Sequence, residues 1–356
     1  MQLRYFWRGI KNIIFSFKER NFQLAPRLAN NYLWAFLKIP FRVPNPLEIQ
    51  LEPSCRCNLS CKMCSLRQIK TKENFLTQNN FEKLLGEIVL LRTINFTGLG
   101  ESLLNQQFEA FISKAHEAKV RTFFITNGQL LNLNRIKKLI NSGIDRISIS
   151  MESGDLSTYE LIRRGAKFSK LKRNIEKLNQ IKKEFNSSLK VSINVVLLKQ
   201  NLEDVSQIYK IIDFASQYGI GEITFQNPHN IYTCQTAVYF FEKKAYLKKT
   251  LQLIKNYADK CNIKVSLPSI DIKEGSCYYP WVYPQITAGG ELMPCCVIFQ
   301  FGPYDDIINK FSFGNVFDNK FKEVWNSRRA VSFRTNLLRK NPNEYCRKCS
   351  KYLGIL

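Results

Sequence analysis

The sequence predicts a parallel α/β fold, and three observations carry the prediction. Short apolar or alternating runs are followed repeatedly by stretches with apolar residues at helical spacing, giving six strand-then-helix units between residues 47 and 264. Repeated units of this kind demand a parallel sheet with right-handed crossovers. The polar and glycine-rich motifs all fall at the carboxyl ends of the predicted strands, where such sheets build their sites.

The elements follow in order. Leu28 to Ile39 is an apolar segment closed off by Pro40, Pro44 and Pro46. From Leu47 the pattern alternates, with Leu47, Ile49 and Leu51 on one side and Glu48, Gln50 and Glu52 on the other, until Pro53 ends the strand. Thr77 caps a helix carrying Phe81, Leu84, Leu85 and Ile88. The strand Thr93 to Thr97 runs into Gly98-Leu99-Gly100-Glu101, and after a helix from about Gln107 to Lys119 the strand Val120 to Thr126 ends in Asn127-Gly128. A helix over Leu133 to Asn141 leads to the strand Arg146 to Met151, which ends in Glu152-Ser153-Gly154-Asp155. Helices at Thr158 to Arg164 and Phe168 to Lys183, the strand Lys190 to Leu197 and the helix Leu202 to Tyr218 follow. The strand Glu222 to Phe225 ends near His229, and Thr236 to Cys261 serves as the sixth helix. After residue 264 the rhythm stops, which divides the chain into residues 1–46, a core of 47–264 and a cysteine-rich α+β extension of 265–356.

Composition narrows the function classes. Eleven cysteines, an odd number, with two C-x2-C pairs and no signal peptide, favour metal or cluster binding over disulfides and point to a reducing, cytoplasmic setting. The net charge of +24 would draw in polyanions, but its basic residues are spread rather than set in a stripe with aromatics, which weighs against nucleic acid. No apolar run reaches the roughly 18 residues of a spanning helix. Met1 to Arg20 instead sets Leu3, Phe6, Trp7, Ile10, Ile13, Ile14 and Phe17 beside Arg4, Arg8, Lys11 and Lys18. Such a basic amphipathic helix lies in a membrane interface or docks on the enzyme's own body, so peripheral membrane contact is one expectation.

The chemistry is concentrated just after the first strand, where Cys57, Cys61 and Cys64 have the spacing C-x3-C-x2-C. Three thiolates can hold three irons of a cubane cluster and leave the fourth iron open to a small molecule. A zinc ligand set completed by Cys55 is the competing reading. Gly98 and Gly100 suit a backbone that must approach a ligand with no Cβ in the way, although a plain strand-to-helix turn has the same composition. An arginine at 163 or 164 suits a carboxylate by its bidentate geometry, and a surface arginine is the bland alternative. His116, amid Phe111, Ile112 and Ala115, reads as structural.

Taken together, the three cysteines and the glycine-rich loop resemble the radical S-adenosylmethionine (SAM) enzymes over nearly all of residues 47 to 350. The resemblance implies a partial (β/α)6 TIM-like barrel with the cluster in the loop after strand one. It implies that SAM chelates the open iron of a [4Fe-4S] cluster and is cleaved by one electron, from a flavodoxin- or ferredoxin-like donor, to methionine and a 5′-deoxyadenosyl radical that abstracts a substrate hydrogen. In that reading Gly98, Gly100 and Glu101 present backbone groups to the SAM amine, Ser150 and Glu152 meet the ribose, and Arg163 meets the carboxylate. Asn127 and Asn194 are further cofactor-binding candidates, His229 is a catalytic candidate, and Met63 stands where the family most often has an aromatic residue.

The extension resembles the family's SPASM or Twitch domain, through Gly314-Asn315-Val316 and Trp325-Asn326 as landmarks. It implies that Cys277, Cys295, Cys346 and Cys349 bind an auxiliary [4Fe-4S] cluster, with a four-cysteine zinc ribbon as the alternative and Cys296 as a substitute ligand. A second cluster favours net oxidation or cross-linking. The family's substrates include peptides and sugar or aminocyclitol precursors. A leading segment of 46 residues is short for a peptide-recognition domain, which tilts the expectation toward a small polar or lipid-linked substrate. An RNA-modifying enzyme and a non-catalytic iron–sulfur or zinc protein are the rival classes.

Overall fold

A computed structural model of the protein describes residues 24–64, 74–229, 239, 241–275 and 277–355. The amphipathic segment Met1 to Arg20, Cys234 and the first part of the expected sixth helix lie outside these. Helix α1 (Leu24–Leu37) leads into β1 (Glu48–Leu51), α2 (Gln78–Glu87), β2 (Thr93–Phe96), α3 (Phe108–Glu117), β3 (Arg121–Thr126), α4 (Leu133–Asn141) and β4 (Arg146–Ser150). Then come α5 (Leu156–Ile162), α6 (Phe168–Glu184), β5 (Lys190–Val196), α7 (Lys199–Glu203), α8 (Ser206–Gln217), β6 (Glu222–Gln226) and α9 (Lys244–Lys260). The remainder is β7 (Lys264–Ser266), α10 (Tyr279–Val282), β8 (Gln285–Ile286), β9 (Leu292–Met293), α11 (Tyr304–Phe311), α12 (Phe321–Trp325), α13 (Arg328–Leu338) and α14 (Glu344–Arg347).

Among the described residues nine strands form one unclosed sheet in the order β7-β6-β5-β4-β3-β2-β1-β8-β9, all parallel except the β8–β9 hairpin. The strands obey the alternation of the pleat. One face carries Ile49, Ile94, Phe96, Phe124, Ile147, Ile149, Ile193 and Ile223, all buried in the main apolar core. The other carries Gln50, Asn95, Ser148, Ser150, Ser192 and Asn194, and register puts Gln50 beside Asn95, Ser148 beside Ser192 and Ser150 beside Asn194. The polar face is the inner wall of the partial barrel, shielded from water yet lined with hydrogen-bonding groups.

Three elements differ from the sequence-based expectation. α5 begins at Leu156 because Asp155 caps it, accepting from the Thr158 N–H at 3.1 Å. The expected helix Leu202 to Tyr218 is two, broken where Asp204 accepts from the Ser206 N–H at 3.1 Å. Residue 264, taken as the end of the βα rhythm, opens a seventh parallel strand, with the Lys264 N–H donating to the Gly221 carbonyl at 2.9 Å. The extension also continues the same sheet, since β8 pairs directly with β1.

The landmark residues of the extension turn out to be clamps. Trp325 Nε1 donates to the Pro44 carbonyl at 3.0 Å, and Asn326 both accepts from the Val43 N–H at 2.7 Å and donates to its carbonyl at 3.0 Å. Arg334, fully buried, lies 4.1 Å over the Trp325 ring and donates to the Pro280 carbonyl at 2.7 Å. Asn315 donates to the Gly289 carbonyl at 2.8 Å and so ties down the hairpin turn. At that turn Gly290 has φ +97°, and a Cβ there would meet the Phe317 ring at 2.4 Å.

Candidate active site

The loop after β1 carries Cys57, Cys61 and Cys64, of which Cys61 is buried and the other two half-buried. It is shaped by backbone bonds to distant segments: the Ser60 N–H donates to the Arg164 carbonyl and the Lys62 N–H to the Ile162 carbonyl, both at 2.9 Å. From the β2 end, the Glu101 N–H donates to the Arg56 carbonyl at 2.7 Å. Gly100 is seated tightly, since a Cβ would lie 2.1 Å from the Ser54 carbonyl oxygen and 2.4 Å from that of Arg56. Cys55 stands apart, its Sγ accepting from the Asn74 N–H at 3.1 Å and donating to the Asn74 carbonyl at 3.3 Å.

The three thiols feel one another electrostatically, and burial pushes Cys57 up to about 12 and Cys61 up as well, with Arg163 opposing the latter. A bound cation would invert this and hold the thiolates. Two side-chain donors face the sulfurs: Asn127 Nδ2 lies 4.0 Å from Cys57 Sγ and Arg163 Nη1 lies 4.0 Å from Cys61 Sγ. Three thiols carried on one tight loop, with an N–H group 4.0 Å from each of two sulfurs, suit an iron–sulfur cluster, whose charge such donors stabilise. Among the described residues no three Cys, His, Asp or Glu side chains converge as they would about a single metal ion.

The sequence candidates around the loop are brought together, with roles that overlap. Glu152 and Arg163, read separately as ribose and carboxylate contacts, form a buried bidentate pair at 2.5 and 2.8 Å. Burial works against the Arg163 charge, but Glu152 and Cys61 outweigh it and raise its pKa. Glu101 is wholly buried and accepts from the Thr126 hydroxyl at 2.8 Å and the Asn127 N–H at 2.9 Å, which ties the β2 loop to the β3 loop. Asn127 in turn donates to Asn58 at 2.9 Å. Ser150 and Asn194 sit side by side on the polar face. His229 is half-buried, and its carbonyl accepts from the Ser350 N–H at 3.0 Å, which seats it against the segment carrying Cys349. Burial and nearby Lys351 push its pKa down to about 4, so its imidazole is neutral.

Cys277, Cys295, Cys346 and Cys349 form the second thiol group: burial pushes all four upward, and Cys277 pushes each of the other three further. Cys346 Sγ accepts from Asn343 Nδ2 at 3.2 Å, and Asn343 also caps α14. Cys296 belongs to the same group, as does Lys351, whose ammonium sits 4.8 Å over the Tyr279 ring. Two buried and two half-buried thiols in this region are the type and number of donors that a second cluster takes.

Sequence reasoning passed over Glu52. It is 0% exposed, and its carboxylate accepts from the Leu99 N–H at 2.8 Å and the Tyr304 hydroxyl at 2.5 Å. The alternation of β1 had put Glu52 on the polar side of the strand, which was the available signal. Asn95, which donates to the Tyr283 hydroxyl at 2.7 Å across the two parts of the chain, was passed over as well.

Comparison with known proteins agrees with this geometry. Residues 51–212 match the family model of the radical SAM superfamily, and residues 277–350 match SPASM, an iron–sulfur cluster-binding domain. The chain is 23% identical over 303 residues to the tungsten-containing aldehyde ferredoxin oxidoreductase cofactor-modifying protein of Pyrococcus furiosus, covering 80% of this chain and 82% of the relative. It is 21% identical over 318 residues to the PqqA peptide cyclase of Gluconobacter oxydans, covering 86% and 83%. Crystalline Streptococcus suis SuiB bound to precursor peptide SuiA shares the fold with a TM-score of 0.64 at 19% identity, over 93% of this chain and 76% of that one. The chain therefore belongs to the radical SAM superfamily, as an enzyme of SAM and [4Fe-4S] chemistry with a C-terminal SPASM domain for auxiliary iron–sulfur.

Proposed function

We propose that Cys57, Cys61 and Cys64 hold the SAM-binding cluster, that Cys277, Cys295, Cys346 and Cys349 hold an auxiliary one, and that the enzyme oxidatively forms a bond within a peptide. The observation that carries this is β8 pairing in parallel with β1. It attaches the hairpin that leads into Cys295 to the very strand that leads into Cys57. When bound, the cofactors supply the 5′-deoxyadenosyl radical and an acceptor for the electron left on the substrate. The chain's own residues orient and exclude water. Asn127 and Arg163 direct donors at Cys57 and Cys61, the glycine-rich loop meets the SAM amine, and Ser150 with Asn194 offers polar contacts on the inner wall. Glu152 fixes Arg163 from behind, which leaves Nη1 as the donor facing the site.

A peptide substrate is supported by the PqqA peptide cyclases among the relatives and by SuiB, although the short leading segment had favoured a small polar molecule. Domain limits near 46 and 264 belong to the same proposal, with β7 adding to the core.

The test is anaerobic reconstitution with iron and sulfide, followed by dithionite and SAM. About eight irons per chain and formation of 5′-deoxyadenosine are expected for two clusters of four. A Cys57→Ala, Cys61→Ala, Cys64→Ala variant should lose about half the iron and all deoxyadenosine formation. Continued cleavage by that variant would sink the assignment. Peptides offered as substrate should lose about 2 Da by mass spectrometry, one hydrogen atom leaving to the radical and one as a proton plus an electron.

A further inference from the structure

We propose that Glu52 is a positioning residue through which the C-terminal domain sets the direction of the backbone carbonyls that receive the SAM amine; this rests on the assignment of the glycine-rich loop given above. The carboxylate has two sides. Oε1 accepts from the Leu99 N–H at 2.8 Å, and the Gly100 N–H also bonds the carboxylate. Oε2 accepts from the Tyr304 hydroxyl at 2.5 Å and the Ala288 N–H at 3.4 Å, both in the C-terminal part of the chain. Among the described residues these partners are all neutral. A buried carboxylate without a cation depends on such donors, and losing one exposes the full cost of its burial.

The consequence for the loop follows from the planar trans peptide, in which N–H and C=O point in opposite directions. Drawing the Leu99 and Gly100 N–H groups onto Glu52 turns the Gly98 and Leu99 carbonyls away from it. The Glu101 N–H, held by the Arg56 carbonyl at 2.7 Å, does the same for the carbonyl of Gly100. Three consecutive carbonyls are thereby presented on the side opposite their N–H anchors, and an ammonium, which has donors and no acceptor, needs such an edge. Gly98 fits this account. A Cβ there would lie 2.2 Å from Glu52 Cγ, so glycine is required by the carboxylate as well as by any ligand. Tyr304 is itself held firmly, buried and stacked on Phe299 with centroids 4.8 Å apart. The carboxylate thus links the seating of one domain to the ligand edge of the other.

The test measures SAM and methylthioadenosine binding to the reconstituted full chain. Methylthioadenosine shares the nucleoside but lacks both the amine and the carboxylate, so it reports on the nucleoside contacts alone. Tyr304→Phe removes one hydroxyl at constant shape, and it is expected to raise the SAM Kd about three- to tenfold while leaving methylthioadenosine binding and both cluster signals unchanged. Glu52→Gln should have the larger effect, about tenfold or more, because its amide presents N–H groups to existing donors. In the double variant the Tyr304→Phe effect should vanish, which a merely structural tyrosine would not show. Should Glu52→Gln fail to fold, Tyr304→Phe decides alone. An unchanged SAM Kd in Tyr304→Phe, or equal loss of methylthioadenosine, overturns the inference. A parent protein that binds no SAM instead overturns the functional assignment beneath it.

Discussion

The two thiol groups are built in opposite ways. The first comes from one short loop, Cys57 to Cys64, and its surroundings come from four other strand ends: Glu101, Asn127, Glu152 with Arg163, and Asn194. The second takes its thiols from residues 277 to 349, while the landmarks between them in sequence, Trp325 and Asn326, touch the linker at Val43 and Pro44 instead. In the first the thiols are local and the environment is assembled by the fold. In the second the thiols themselves are brought together by the fold from segments far apart in sequence. A loop motif therefore marks the first group, and only correct packing makes the second.

That difference predicts how each can be broken. Around the first group the largest effect should come from Arg163→Met, which leaves Glu152 buried and unpaired and should cost about 3–5 kcal/mol in denaturant unfolding of the apo-protein. The exposed pair Lys114–Glu117, 3.2 Å apart, is the internal control, and its removal should cost about 0.5 kcal/mol or less. Near the second group, Lys351→Met removes a positive charge beside the thiols. It should lower the auxiliary cluster's reduction potential by roughly 60 mV, a tenfold change for one electron, and leave the first cluster's potential unmoved in an EPR-monitored titration. The last effect belongs to a clamp. Trp325→Phe loses the bond to the Pro44 carbonyl and part of the buried ring beneath Arg334, and should cost about 2 kcal/mol, seen as a shift of the unfolding midpoint.

What the sequence made legible follows the same division. The parallel strands were readable because each apolar run had its own helix-spaced partner, as with Phe96 against Phe108 and Phe111, whereas a partial barrel rather than a doubly wound sheet came only from the family resemblance. The cysteine loop was readable because its spacing is local. β7 was hidden because a strand of Lys264 to Ser266 is too short for periodicity to register. The Glu152–Arg163 pair was hidden because each residue has an obvious ligand-binding use, and only the fold brings them within 2.5 Å. Glu52 was hidden because its donors, Leu99, Ala288 and Tyr304, are dispersed along the chain. Local patterns specify elements and loops, and long-range polar pairing becomes visible only once the sheet order is known.

The division of labour between the thiol groups is tested most directly in a Cys346→Ala, Cys349→Ala variant, reconstituted anaerobically and given dithionite and SAM. The account predicts about four irons per chain and 5′-deoxyadenosine formation within a few-fold of the parent, since the loop at Cys57 to Cys64 stays whole. A variant that keeps all of the parent's iron, or that loses SAM cleavage while retaining the first cluster's EPR signal, would contradict it.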